Sequence, residues 1–160
     1  MKTLVKPAAT ADIPKPQGCT NLKLRQLTRR VTQHYDAELA KMGLKTTQYS
    51  LLSHVVKLGP LRAVDLAAAM RMSTSTLSRN LQPLIASGWV AVNAGDDARS
   101  RLISATEAGH TKRTEAQRKW RVAQESINAT LGLGRVLALH ALIDESLELL
   151  SPLESGEDHV

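Results

Sequence analysis

The hydrophobic pattern of the chain is helical over most of its length. Apolar positions three and four residues apart predict a long first helix over 20–42 that ends at Gly43, and the recurring residues are Leu24, Leu27, Val31 and His34. A second helix, TQYSLLSHVVKL, follows, with Thr46 or Thr47 as its expected cap and with Gly-Pro at its end. The segment RAVDLAAAM predicts a short helix, and a further helix begins near Ser73 or Thr74.

Only two segments alternate as strands do. These are WVAVNA and RSRLISAT, and the turn GDDA between them predicts one β-hairpin. A long polar helix is expected from Thr106 to about Ala129, and GLG then interrupts the helical pattern. The last predicted helix is amphipathic, with an apolar side made of Val136, Leu139, Leu142, Ile143, Leu147 and Leu150. The expected fold class is therefore mainly α with one β-hairpin.

Residues 62–88 have the pattern of a helix-turn-helix. Six apolar positions would form the buried face of two steeply crossed helices joined by a three- or four-residue turn: Leu66, Ala67, Met70, Leu77, Leu81 and Leu84. The second helix opens with hydroxyl and basic residues that suit phosphates or base edges, namely Ser73, Thr74, Ser75, Thr76, Ser78 and Arg79. The alternative is that these hydroxyls only cap the helix and that Arg79 is a solvated surface cation.

The hairpin that follows strengthens the nucleic-acid interpretation. A helix-turn-helix with a two-stranded wing can place the helix in the major groove and the wing tip at the minor groove. Arg99 is suited to a narrow minor groove, and Asp97 can hold that arginine extended. Arg62, Arg71 and Arg101 are the expected phosphate anchors. The alternative is an ordinary solvated pair of turn residues at Asp97 and Arg99.

Three linked motifs resemble the MarR family. The run DDARSRLISATEAG is similar to its wing, with Asp97, Arg99, Thr106 and Gly109 at the right spacing, although Ala105 stands where leucine is usual. GLKTTQYSLLSHV resembles the family's second helix, and LAAAMRMSTSTLSRNLQPLIASGWV resembles its recognition unit. The resemblance implies a winged-helix homodimer that binds a pseudo-palindromic DNA operator and is released by small ligands. Pro83 should bend the recognition helix beyond its contacting end.

The predicted elements divide the chain into four parts. Residues 46–105 form the expected winged helix-turn-helix domain, and residues 19–45 with 106–150 form a helical dimerisation region. The first and last helices cannot readily bury their apolar stripes in a separate compact core, so we expect an obligate homodimer. Packing of the two ends within one chain is the alternative. Residues 1–18 are expected to be a flexible arm, and residues 151–160 a flexible acidic tail.

Composition narrows the function further. Lys and Arg outnumber Asp and Glu by 21 to 15, for a net charge of +6, which favours an anionic partner such as double-stranded DNA. No membrane span or secretory signal is expected, and the single cysteine excludes an internal disulfide framework, so a cytoplasmic protein is predicted. No P-loop, GxGxxG, G-x-S-x-G or HExxH motif occurs, which argues against an enzyme. No cofactor is expected.

A polar face of the first helix suggests an effector site. Residues at spacings of three and four share this face, and they are Asn21, Arg25, Thr28, Thr32 and Tyr35. With Ser50, His54 and Trp120 they suit a small aromatic acid, because a guanidinium binds the carboxylate and rings stack on rings. The alternative is that Arg25 is a surface cation, His54 a satisfied core histidine and Trp120 a packing residue.

Two further hypotheses remain open from sequence. Cys19, at the expected start of the first helix, is a candidate for oxidant sensing, with Tyr35 matching a tyrosine that the organic-hydroperoxide sensors of the family use. A metal site is not expected, because Cys19, His34, His54 and His140 lack the tight local spacing of a zinc site. The alternative of another class is a ligand-binding dimer that does not bind DNA and whose basic face meets acidic proteins.

Overall fold

A computed structural model describes residues 15–95 and 101–150, and within these ranges six α-helices accompany a small antiparallel sheet. The helices are α1 (Thr20–Leu39), α2 (Thr46–Leu58), α3 (Ala63–Ala69), α4 (Thr74–Ala86), α5 (Glu107–Leu131) and α6 (Leu133–Leu149). The strands are β1 (Leu61–Arg62), β2 (Val90–Ala94) and β3 (Arg101–Ala105), in the order β1-β3-β2. The mainly helical fold class and the hairpin are therefore confirmed.

The sheet has one strand more than the sequence predicts. The hairpin pairs Val92 with Ile103, and the two-residue strand β1 joins the other edge of β3 by pairing Leu61 with Ile103. Arg62 was expected to open a helix, but it ends this strand, and α3 begins at Ala63. The predicted wing tip, with Asp97 and Arg99, lies outside the described residues.

The start of α2 is held by the preceding helix. The expected cap, Thr46 or Thr47, is wrong by one or two positions, because Lys45 is the N-cap and α2 begins at Thr46. The free N–H groups are satisfied from elsewhere: Asp36 Oδ1 in α1 accepts from Thr46 N at 2.7 Å, and Gln48 Oε1 accepts from Lys45 N at 2.9 Å. Asp36 Oδ1 also accepts from Thr46 Oγ1 at 2.6 Å, so one carboxylate joins α1 to α2.

The helix-turn-helix forms around an aliphatic core. Five of the six apolar positions predicted to be buried are buried, and Met70 is half-buried at the edge. The other members of this core come from α2 and the sheet, and they are Leu51, Leu52, Val55, Val90 and Ile103. Helix α4 runs through Pro83 to Ala86 as one element. The core fixes α4 against α2 and α3, which leaves the opposite side of α4 exposed.

A tight junction connects the hairpin to α5. Thr106 is the N-cap of α5: its Oγ1 accepts from Gly109 N at 3.0 Å and donates to the carbonyl oxygen of Gly88 at 2.6 Å. Gly109 lies so close to the hairpin that an added Cβ would be 2.0 Å from the carbonyl oxygen of Trp89. Only glycine fits there, and α5 therefore leaves the sheet in a fixed direction.

The helices at the two ends of the chain are poorly covered by the chain itself. In α6 only Val136 is buried, while Leu137 and Leu142 are 60% and 61% exposed. Leu22 and Leu24 near the start of α1 are also exposed. In the described ranges no single helix has the length and apolarity to cross a membrane, although α5 and α6, which meet at a bend of 104°, meet that criterion as a pair by length and composition alone.

Candidate nucleic-acid interface and ligand cavity

The first turn of α4 presents polar side chains to solvent. Thr74, Ser75, Ser78 and Arg79 are all exposed, as expected for residues that meet a partner. The opposite face of the same helix is anchored by Leu77, Leu81 and Leu84 in the core. The four exposed residues lie at the N-terminal end of a 13-residue helix, which carries the positive end of the helix dipole.

Two of the predicted contact residues serve the helix itself. Ser73 is the N-cap, and its hydroxyl accepts from Thr76 N at 3.2 Å and donates to Thr76 Oγ1 at 2.9 Å. Thr76 is half-buried beneath the turn. The structure therefore separates the predicted set into a capping pair, Ser73 and Thr76, and four other exposed residues, of which Ser75 also lies within hydrogen-bond distance of Ser73, Oγ to Oγ at 3.1 Å.

Three predicted phosphate anchors lie on the exposed surface. Arg71, in the turn between α3 and α4, is exposed and has a left-handed backbone with φ of 51°. Arg62 is exposed and paired with Asp65, through Nε at 2.8 Å and Nη2 at 3.0 Å. The hydrogen bond from Arg62 holds the pKa of Asp65 below its usual value. Arg101, at the start of β3, is exposed.

A cavity of about 390 Å³ lies between α1, α2 and α5. We call it the effector cavity. Its aromatic walls are Tyr35, Tyr49 and Trp120. The Trp120 ring stacks on both tyrosines, with ring centroids 6.3 Å apart in each pair. The polar lining is Thr46, Ser50, Ser53, His54, Arg113 and Gln117. The volume falls within the range of roughly 300–1,000 Å³ that small-molecule sites occupy.

Two buried polar atoms in the effector cavity have no hydrogen-bond partner: Ser53 Oγ and Arg113 Nε. The Arg113 guanidinium does donate from Nη1 to Gln117 Oε1 at 2.9 Å, but that partner is neutral. Among residues 15–95 and 101–150 the ion pairs are Lys41 with Glu38 and Arg62 with Asp65, so no protein carboxylate neutralises Arg113. A buried donor without a partner costs free energy of about 1–3 kcal/mol, which an acceptor on a ligand would recover.

His54 and Tyr35 complete the polar lining. His54 Nδ1 lies 2.8 Å from the carbonyl oxygen of Ser50, which can only accept, so Nδ1 donates and Nε2 remains as an acceptor in the neutral ring. The Tyr35 hydroxyl donates to Gln124 Oε1, and burial raises the pKa of Tyr35. The cavity thus offers a cation, an acceptor, hydroxyls and flat aromatic walls.

The structure brings together only part of the predicted effector set. Tyr35, Ser50, His54 and Trp120 line the cavity. Asn21 and Arg25 do not, because Asn21 precedes Tyr35 by 14 positions, about 21 Å along a helix that rises 1.5 Å per residue. Both of these residues are exposed near the start of α1.

Thr28 and Thr32 are also outside the effector cavity. Both line an apolar crevice of about 220 Å³ on the other side of Tyr35. The cation that does reach the cavity, Arg113, was missed by sequence analysis. Its spacing to Gln117 and Trp120 is four and seven residues, so the three share one face of α5, and this was the signal that could have found it.

Cys19 lies apart from these sites. It is exposed at the N-cap of α1, and its side chain makes no capping hydrogen bond. Tyr35 is 16 positions farther along the helix, about 24 Å away, and its hydroxyl is bonded to Gln124. The part of the chain that the structure describes also contains no group of three or more His, Cys, Asp or Glu side chains arranged to hold a metal ion.

Comparison with known proteins agrees with this architecture. The model of the MarR family matches residues 42–100, which cover the helix-turn-helix and the first strand of the hairpin, β2. YwoH, an uncharacterized HTH-type transcriptional regulator of Bacillus subtilis, is 24% identical over 107 residues, which are 67% of this chain and 78% of that protein.

Solved structures extend the likeness over most of the chain. The transcriptional regulator MosR of M. tuberculosis, in complex with DNA, is 32% identical, with a TM-score of 0.70 over 82% of this chain and 98% of MosR. The MepR–DNA complex of S. aureus, 17% identical, shares the fold with a TM-score of 0.72 over 84% of this chain and 100% of MepR. The family and these neighbours are transcriptional regulators and not enzymes.

Proposed function

This chain belongs to the MarR family of DNA-binding transcriptional regulators, and on that premise we propose that it is a ligand-responsive repressor that acts as a homodimer in the cytoplasm. Its partner is a pseudo-palindromic operator in double-stranded DNA. Residues 46–105 bind the operator, and residues 19–45 with 106–150 join the two subunits. The observation that supports this most directly is the exposed polar start of α4 above a fixed aliphatic core.

The recognition surface consists of side chains that a major groove can accept. Thr74, Ser75 and Ser78 bring short hydroxyls, and Arg79 brings a guanidinium that suits a guanine edge. Ser73 and Thr76 contribute by fixing the helix start, where the positive end of the helix dipole favours a phosphate. Arg62, Arg71 and Arg101 bind phosphates, and Arg99, held by Asp97, enters the minor groove.

The Arg79→Ala variant tests this surface. We expect its operator affinity to fall about 5- to 150-fold, because a bidentate contact from arginine to guanine contributes roughly 1–3 kcal/mol of discrimination. Affinity for unrelated duplex should change much less. The matched control is Arg118→Ala, which removes an exposed arginine from α5. Equal loss on operator and unrelated duplex in gel-shift assays at physiological salt would exclude a base contact by Arg79.

The homodimer is supported by the apolar surface of α1 and α6. Leucines that are more than half exposed in a single chain occur in both helices, among them Leu22, Leu24, Leu133, Leu137 and Leu142. Exposed apolar residues this numerous on two adjacent ends mark a protein interface. Sedimentation equilibrium at micromolar concentration should give twice the chain mass of 17.4 kDa. A monomer under those conditions would overturn the proposal.

The effector is a small aromatic carboxylic acid bound in the effector cavity. Among the described residues Arg113 lacks an anionic partner and Ser53 Oγ lacks a hydrogen-bond partner, so a carboxylate in the cavity is the ligand group that suits this lining. The rings of Tyr35, Tyr49 and Trp120 provide the apolar walls that an aromatic acid needs. Arg113 therefore takes the role that the sequence suggested for Arg25.

Calorimetric titration with benzoate, phenylacetate and indole-3-acetate tests the effector class. For any acid that binds, Arg113→Gln should weaken binding about 10- to 150-fold, since hydrogen bonds to charged groups contribute about 1.5–3 kcal/mol. Arg25→Gln is the matched control, because it removes the same charge from the exposed end of α1. If none of the acids binds, or if both variants bind equally well, this effector site is wrong.

A further inference from the structure

Tyr35 lies between two spaces that belong to different parts of the proposed function, effector binding and dimerisation. The first space is the effector cavity. The other is the apolar crevice of about 220 Å³ between α1, α5 and α6, which we call the interface crevice. Its apolar lining includes Leu27, Val31, Ile127, Val136, Leu139 and Ile143. Among the described residues, Tyr35 alone lines both of these spaces.

The ring and the hydroxyl of Tyr35 have separate contacts. The ring stacks on Trp120 in the wall of the effector cavity, with an angle of 24° between the ring planes. The hydroxyl donates to Gln124 Oε1, and Gln124 Nε2 in turn donates to Asn128 Oδ1 at 2.9 Å. Gln124 lines the interface crevice. Movement of the Tyr35 ring in the effector cavity must therefore break or shift its hydrogen bond to Gln124 in the interface crevice.

Tyr49 has the first of these contacts without the second. Its ring also stacks on Trp120, at the same centroid distance of 6.3 Å, and it lines the effector cavity. It does not line the interface crevice, and its hydroxyl makes no hydrogen bond within the described ranges. Both tyrosine rings can therefore contact a ligand ring in the effector cavity. Of the two, Tyr35 alone also has a hydrogen bond, among the described residues, that connects the cavity to the interface crevice.

We propose that Tyr35 transmits effector binding to the dimer interface, with its ring as the sensor in the cavity and its bond to Gln124 as the link to α5 and the crevice. This inference rests on the proposed effector site and homodimer. A ligand changes DNA affinity only if it binds the two dimer geometries with different free energies. The Tyr35–Gln124 bond makes the position of the ring, which an effector contacts, depend on the interface crevice, which lies between α5 and the two helices, α1 and α6, that carry the proposed subunit interface.

The experiment compares Tyr35→Phe with control variants in the full-length chain. Tyr35→Phe keeps the ring and removes only the link. We expect the loss of operator affinity caused by saturating acid to fall from tenfold or more in the wild-type chain to twofold or less in Tyr35→Phe, with calorimetry on each variant to establish saturation. Thr130→Val, which removes an exposed hydroxyl from α5 outside both spaces, should keep the wild-type response. Gln124→Leu should reproduce the effect of Tyr35→Phe, and the double variant should add nothing to it.

A second readout needs no ligand. If the Tyr35–Gln124 bond shapes the interface crevice, Tyr35→Phe and Gln124→Leu should each raise the dissociation constant of the dimer at least threefold. Tyr49→Phe should leave that constant unchanged. An unaltered dimer constant in Tyr35→Phe overturns the inference whatever the effector is. A full acid response in Tyr35→Phe overturns it too, while leaving the proposed effector site intact. Failure of the wild-type chain to bind any acid overturns the effector site and the transmission from it together.

Discussion

Thr106 should stabilise the fold through its hydroxyl alone. The hydroxyl accepts from Gly109 N at 3.0 Å, which caps α5, and donates to the Gly88 carbonyl oxygen at 2.6 Å, which holds the hairpin. Thr106→Val keeps the shape of the side chain and removes both bonds. Loss of an N-cap costs about 1 kcal/mol, and loss of a further hydrogen bond costs about 1 kcal/mol. We therefore expect Thr106→Val to lower the free energy of unfolding by about 2 kcal/mol.

Thr106→Ser is the matched control, since serine retains the hydroxyl and should cost less than about 0.5 kcal/mol. Urea unfolding followed by circular dichroism measures both variants, at one protein concentration because a dimer's stability depends on it. With a slope of about 2 kcal/mol/M, the midpoint of the valine variant should fall by about 1 M. If valine and serine have equal midpoints, the junction between hairpin and α5 is not held by this hydroxyl.

Two further substitutions, Gly109→Ala and Arg71→Gly, test positions at which the backbone favours glycine. Gly109→Ala should destabilise the protein by about 3 kcal/mol in the same assay, because its Cβ would lie 2.0 Å from the Trp89 carbonyl oxygen, whereas Gly134→Ala, which meets no atom within 4 Å, should be neutral or stabilising. Arg71→Gly should raise stability by about 1 kcal/mol, since glycine adopts a φ of 51° without strain. The same variant should weaken DNA binding and reduce the salt slope by about one ion if Arg71 contacts a phosphate.

The helices could be predicted because the residues that they bury are spaced three or four positions apart in the sequence. The apolar positions of α3 and α4 recur every three or four residues, and the core uses them almost without exception. The strand β1 was missed because two residues have no period, and its pairing with β3 depends on where the distant hairpin lies. The cap of α2 was misplaced for the same reason: the acceptor, Asp36, belongs to the preceding helix.

The spacing of residues along one helix predicts which side chains share a face, but it does not predict which of them line the effector cavity. The sequence correctly places Asn21 and Tyr35 on a polar series in α1, but a cavity extends over only a short part of a helix 20 residues long. Which part it is depends on how α1 crosses α2 and α5. Arg113 enters the cavity from α5; its spacing to Gln117 and Trp120 indicates a shared face, but its lack of an anionic partner among the described residues is known only from the packed structure.

Selection of bound fragments from random double-stranded DNA is the most direct test of the central claim, that two copies of α4 read successive major grooves. The account predicts a recovered pseudo-palindrome whose half-sites lie about one helical turn, roughly 10 base pairs, apart. Wild-type protein should protect both half-sites in footprinting, and Arg79→Ala should discriminate them from unrelated duplex less strongly than wild type does. Recovery of no common sequence, or of a single unrepeated site bound by a monomer, would contradict it.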